Sequence, residues 1–431
     1  MGRCHEAIVG TSDDPKTSAD TRPAGDPPAG AANDRQAVSE PALAKRTRPR
    51  EAPAWVNGLL ALFFLYLFLC SINVMSEGLK TLGKAGPWLE NLLAWGDQNP
   101  MLALFSSVLI TAIVQSSSFT TSLIIALVAA GQLKPETAVY CVMGANIGTS
   151  VTGIIVALGN IRFKRQFRRA FTAAMVHDIF NLLTVATLFP IEWISSAFSD
   201  DGHGLLARMS FFAADLLGIG EMARPANPIK VITSPVVHAM EWVGSFIFAG
   251  TAAQGVLVAA VGLVMLFVSL FMMVANLRGA LLSRIEVLFS RVFFRNDAIA
   301  YTVGAVTTVM VQSSSVSTSL IIPLCGAGAI KIKRVYPFML GANLGTTVTG
   351  VIAATANPVA AAVAVAVSHV SFNLIGTFIW YPLRRVPLGL ARWYARLAAD
   401  RKRYAFIFLF TIFFILPLVA IGLTELVLVL R

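Results

Sequence analysis

The feature that most constrains this chain is a set of apolar runs too long to be buried by an ordinary soluble domain. Residues 55–76, WVNGLLALFFLYLFLCSINVMS, carry no charged side chain. As a helix they would reach about 33 Å, enough to cross the roughly 30 Å hydrocarbon core of a bilayer. Further apolar runs cover 137–158, 170–190, 254–277, 335–356, 359–383 and 405–429. Only 13% of the 431 residues are charged, where a soluble domain carries about a quarter. The chain therefore reads as an all-α integral membrane protein. Its net charge of +11 does not point to nucleic acid, because the basic residues stand beside the apolar runs, as cytoplasmic flanks do. The four cysteines show no paired spacing, so neither a disulfide framework nor a metal site is expected.

Two further apolar stretches, 101–131 and 299–330, are interrupted by the same five residues, VQSSS, at 114–118 and 311–315. The repetition extends well beyond them. Residues 111–153 align with 308–350 without a gap at an offset of 197, with about half the positions identical. With a small shift, HDIFN (177–181) matches HVSFN (369–373). Such an internal repeat marks duplicated architecture. The apolar residues before each QSSS would make only about 21 Å of helix, too short to cross. Both stretches are accordingly expected to be re-entrant hairpins with QSSS at the tip.

Counting one crossing per full run and none per hairpin gives a consistent topology. KRTRPR (45–50), IRFKRQFRR (161–169), Arg278, Arg284, Arg291, Arg295, Lys331, Lys333, Arg334, Arg384, Arg385 and RKR (401–403) all fall on one side, the cytoplasmic one by the positive-inside rule. Three crossings separate the two repeats, so they are expected to be inverted. The expected organisation is a disordered cytoplasmic tail (1–50), a first transmembrane repeat (51–190), an extracytoplasmic connecting loop (191–250), a second repeat (251–383), and a basic cytoplasmic loop with a final transmembrane segment (384–431). The tail is rich in Ala, Pro, Asp and Arg and has no apolar core resembling a secretory signal. The final segment would end outside unless Pro417 breaks it.

Polar groups at membrane depth persist where they are buried in protein or line a cavity. Ser116, Ser117 and Ser118, and Ser313, Ser314 and Ser315, stand where the second arm of each hairpin begins. Serine caps helix N-termini, and the free amides there suit an anion. Gln115 and Gln312 offer both a donor and an acceptor. The blocks GANIGT and GANLGT contain Gly144, Gly148, Gly341 and Gly345, expected to let each helix unwind. Asn146, Thr149, Asn343 and Thr346 add oxygens suited to Na⁺. No Lys or Arg stands in either tip, so co-bound cations would balance an anion. Ser, Thr and Gly also serve simply as helix-packing residues in membranes, an alternative that duplication of the whole polar set disfavours. His177, Asp178 and His369 lie in the third segment of each repeat. An intramembrane Asp is a functional candidate, but Val370 replaces it in the second repeat, and a cap or a pairing with His177 near the cytoplasmic loop is the favoured reading. Asn181 and Asn373 are matched between the repeats and are equally open to bridging helices.

Together, VQSSSFTTSLII, GANIGTSVTG, FRRAF and VHDIFN, with VQSSSVSTSLIIPLCGAGAIKIKRVYPFMLGANLGTTVTG and FNLIGTFIWYPL, resemble the type II sodium–phosphate cotransporters over roughly 55–430. The resemblance implies Na⁺-driven uptake of inorganic phosphate by a non-enzymatic symporter without a cofactor, working by alternating access between the two tips. It implies phosphate contacts from Gln115, Ser116, Ser117, Gln312, Ser313 and Ser314, and sodium contacts from Ser118, Asn146, Thr149, Ser315, Asn343 and Thr346. The segment corresponding to the outer loop lacks the sequons and cysteines of animal members, which suggests a bacterial inner-membrane form. Another small oxyanion or a dicarboxylate as cargo, or a phosphate-binding receptor that moves nothing, are the alternatives.

Overall fold

The computed structural model describes residues 53–83, 99–216, 228–248, 252–292 and 296–429. The tail expected over 1–50 lies outside them. Among the described residues there is no strand. In order the helices are α1 (Ala54–Gly83), α2 (Pro100–Val114), α3 (Ser117–Ala129), α4 (Pro135–Gly148), α5 (Val151–Leu158), α6 (Lys164–Ala197), α7 (Leu205–Leu216), α8 (Pro228–Ile247), α9 (Ala252–Val292), α10 (Asp297–Val311), α11 (Ser314–Ala327), α12 (Ile332–Ala356), α13 (Ala360–Trp380), α14 (Arg385–Asp400), α15 (Arg403–Phe410) and α16 (Leu416–Val429).

Seven helical stretches among the described residues are long and apolar enough to cross a membrane, and they fall on the seven long apolar runs. The arms α2, α3, α10 and α11 have only 15, 13, 15 and 14 residues, or about 20–23 Å of helix each, short of a bilayer's core. Each hairpin begins in the same way. Asn99 caps α2 by accepting from the Met101 amide at 2.9 Å, and Asn296 caps α10 from the Ile299 amide at 2.8 Å. A hydroxyl pair then ties the arms together, Thr111 to Thr120 and Thr308 to Ser317, both at 3.0 Å.

In lipid, apolar side chains gain little by leaving one hydrocarbon surface for another, so close backbone approach and interhelical hydrogen bonds decide the packing. Helix α2 lies along α4 and α10 along α12. Here the glycines of the repeated blocks differ from expectation. Gly341 and Gly345 do not unwind their helix, since α12 runs unbroken from Ile332 to Ala356. Only the first block is interrupted, at Thr149–Ser150 between α4 and α5. The four glycines instead seat the hairpins. A Cβ on Gly144 would strike the Leu104 carbonyl, and one on Gly341 the Tyr301 carbonyl; Gly148 and Gly345 face Thr111 and Thr308 in the same way.

Three more expectations change. The run ending at Pro190 continues as α6 to Ala197, because transmembrane helices tolerate proline when their surroundings satisfy the freed carbonyl. The segment 191–250, expected as a loop, contains the end of α6 together with α7 and α8. Pro417 does not divide the last segment. A wider π-helical turn at Thr411–Ile415 immediately precedes α16, where the proline ring would otherwise meet the Phe413 carbonyl. Cys70, Cys141 and Cys325 form no disulfide among the described residues.

Because the Gly341 contact is with backbone, Gly341→Ala should destabilise the protein by about 1–3 kcal/mol. Gly389 has open space around it, so Gly389→Ala should not. Thermal unfolding of the two variants in detergent checks this; equal melting temperatures would refute the seating role.

Candidate functional site: a cavity between two broken helices

Among the described residues, only Gln115 and Gln312 combine a side chain with a positive φ, 58° and 55°. This left-handed conformation is strained for anything but glycine, and it ends α2 and α10 abruptly. The next residue starts a new helix. Ser116 accepts from the Phe119 amide at 3.2 Å, and Ser313 from the Val316 amide at 3.4 Å. Each cap satisfies the third amide of its helix. The first two, on Ser117 and Ser118 and on Ser314 and Ser315, have no carbonyl available within the helix. Both helix starts carry the positive end of a helix dipole.

The two junctions border one cavity of about 650 Å³. Gln115, Ser116 and Ser118 line it from the first hairpin, and Gln312, Ser313 and Ser315 from the second. No charged side chain is among its described lining residues. Phe267, Leu270, Phe271 and Val274 of α9 form an apolar wall, with Phe267 edge-on to Phe119 at 5.7 Å between ring centres.

Two lining or bridging threonines were not among the residues expected from the sequence. Thr152 donates to Gln115 Oε1, and Thr349 donates to Gln312 Oε1, each at 2.8 Å. Each threonine stands 37 positions after its glutamine, and that equal spacing is the signal that marks them. The amide nitrogen of each glutamine turns back to its own hairpin, onto Ala112 O and, at 2.7 Å, Val309 O. Ser118 Oγ donates to Thr349 Oγ1 at 3.4 Å. A chain of polar groups thus runs from the first hairpin through Thr349 to Gln312.

The other expected residues lie elsewhere. The side chains of Ser117 and Ser314 are buried behind the tips, and Asn146, Thr149, Asn343 and Thr346 do not line the cavity. Thr149 and Thr346 donate to carbonyls one turn back, Ala145 O at 2.8 Å and Ala342 O at 3.0 Å, leaving their oxygen lone pairs available. Asn343 is engaged at both ends, meeting His177 Nε2 at 2.5 Å and donating to Asn181 Oδ1 at 2.7 Å. Asn181 in turn donates to Asn146 O at 2.7 Å, and Asn373 reaches Asn146 Oδ1 at 3.5 Å. His177, Asn181 and Asn373 therefore bridge the two repeats. Asp178, next to His177, is buried beside them.

A family profile described as Na⁺/Pi-cotransporter matches residues 67–198 and 235–392. The chain belongs to the Na⁺/Pi-cotransporter family. Both hairpin junctions and the threonines that brace them fall inside the matched residues. Sodium-dependent phosphate transport protein 2A of Rattus norvegicus is 33% identical over 431 aligned residues, covering 85% of this chain and 67% of the relative. The 2A protein of Ovis aries is 32% identical, covering 89% and 70%. Protein 2B of Homo sapiens is 30% identical, covering 85% of this chain and 65% of its own length. No solved structure matches. A cotransporter moves its cargo without altering it covalently, so this family member is a transporter and not an enzyme.

Gln312→Gly separates the two tasks of this residue. Glycine adopts the left-handed junction without strain, so the variant should fold and melt near the parent while losing transport. Thr349→Val, which removes only the hydroxyl that holds Gln312 Oε1, should weaken transport at unchanged expression. Uptake alongside a melting curve reads both; full activity in Gln312→Gly would remove the side chain from the site.

Proposed function

We propose that this chain is a secondary active transporter that carries inorganic phosphate into the cell together with Na⁺. The observation that carries this reading is the pairing of two serine-capped helix starts and two glutamine amides around a cavity with no charged residue among its described lining residues. Helix N-termini attract oxyanions through their free amides and their dipole. A phosphate between them would meet Gln115, Ser116, Gln312 and Ser313, with the amides of Ser117 and Ser314 as further donors. Without a fixed cation, a multiply charged anion at membrane depth is costly to hold. Sodium ions bound in the same state remove that penalty, so the cargo's own charge couples the two fluxes.

The sodium ions would be held by hard oxygens near the tips, from Ser118 and Ser315 at the cavity and from Asn146, Thr149, Asn343 and Thr346 behind it. The short arms support hairpins that re-enter from opposite faces, with a cytoplasmic N-terminus and the repeats inverted. Alternating access would then expose the tips first to the outside and then to the cytoplasm. The names of the relatives, sodium-dependent phosphate transport proteins, support the same cargo and driving ion.

In proteoliposomes, an inward Na⁺ gradient should drive accumulation of labelled phosphate, and replacing Na⁺ by choline should abolish it. Uptake that persists in choline would overturn the coupling. Stronger competition by sulfate or a dicarboxylate than by unlabelled phosphate would reassign the cargo.

A further inference from the structure

A second cavity, of about 710 Å³, stands at the far end of α11 from the QSSS tip. Arg168 and Arg169 line it from the first turns of α6, Lys331 from the turn into α12, and Arg392 and Arg396 from α14, with Thr172 between them. Among the described residues no carboxylate lines it, and none of these five cations makes an ion pair. Two described acids, Asp400 and Asp297, are engaged elsewhere. Asp400 pairs with Lys164 at 2.7 Å. That hydrogen bond, together with the charges of Lys164 and Arg168, holds its carboxyl below the usual carboxylate range. Asp297 is shared by Arg334 and Arg384. Five like charges around one space repel each other unless an anion joins them, and paired guanidinium groups fit phosphate oxygens in particular.

The neighbouring helix narrows the choice of anion. Helix α14 has three distinct faces. Pro387, Leu388, Ala391, Ala395 and Ala398 are buried, and α14 packs on α6 with Tyr394 stacked on Phe171. Arg392 and Arg396 form the face toward the cavity. Val386, Leu390 and Trp393 form the third, an apolar row left 43%, 40% and 61% exposed. A helix with an apolar row beside a basic one lies at a membrane surface, and tryptophan favours that depth. Free phosphate would satisfy the cations and leave the row bare, whereas a phospholipid satisfies both.

We propose that this cavity binds the headgroup phosphate of an acidic phospholipid of the cytoplasmic leaflet, with the acyl chains along Val386, Leu390 and Trp393. The site is distinct from the cavity between the QSSS tips and does not depend on what is transported there. Basic pockets between helices on the cytoplasmic side are suited to such headgroups.

The full chain can be reconstituted into nanodiscs of phosphatidylcholine mixed with brominated phosphatidylglycerol or with brominated phosphatidylcholine. The Trp393 signal is the fluorescence lost in Trp393→Phe. Brominated phosphatidylglycerol should quench it more strongly than brominated phosphatidylcholine. Arg392→Gln with Arg396→Gln should abolish that preference while Trp393 remains quenched by both lipids. Lys331→Gln, in the turn rather than in a helix, should reduce the preference by itself. Equal quenching in the parent, or a preference that survives the double substitution, overturns the proposal. A second arm titrates inorganic phosphate into the Gln312→Gly protein in neutral nanodiscs. Binding there that requires Arg392 and Arg396, without any lipid preference, would assign the cavity to free phosphate instead.

Discussion

The structure depends on breaking a helix at membrane depth without leaving its backbone unsatisfied. Within hydrocarbon, no water replaces a lost backbone hydrogen bond. The glutamine at each junction both makes the break and repairs it. The Gln115 amide reaches Thr111 O at 2.8 Å while its side-chain nitrogen returns to the Ala112 carbonyl. Gln312 returns its side-chain nitrogen to Val309 O. The adjoining serine then caps the new helix. What remains unpaired is a small set of amides at two helix starts, and these border the shared cavity. The anion proposed to bind there would complement these free amides.

The second requirement is that the two halves stay in register without a hydrophobic drive to join them. Backbone contacts at glycine and a belt of amides perform this task. Asn343, from the second repeat, is bonded to His177 and Asn181 of the first, and Asn181 passes the connection to Asn146. Residues that look from their motif like ion ligands are thus also the bolts between repeats. Any movement of one half against the other has to carry this belt along or exchange its partners. The proposed binding at the tips would therefore be linked to the relative position of the halves through α4, α6 and α12.

Basic residues divide between two tasks on the side that the positive-inside rule assigns to the cytoplasm. Some are tied to acids, as Arg334 and Arg384 are to Asp297 and Lys164 is to Asp400. Others gather around the space beside α14 with no ion pair among the described residues. Both kinds count equally in a tally of charge, and only the first is accounted for by contacts within the chain.

The sequence by itself determined the all-helical membrane class, the seven long spans, the duplicated VQSSS and GAN blocks and the family. Each of these follows from local periodicity, length or identity of residues, which do not depend on how helices are arranged. The short arms were equally legible, because helix length is proportional to residue count. Tertiary structure alone decided what the polar residues touch. It turned Gly341 and Gly345 from unwinding points into seats for the Tyr301 and Thr308 side of α10. It set Asn146 and Asn343 into the belt between repeats, and brought Thr152 and Thr349 onto the glutamines. The physical reason is that a polar side chain in a membrane protein is defined by its partner, and these partners come from other helices. Spacing along one helix fixes which face a residue occupies; it does not fix which carbonyl, amide or cavity that face will meet.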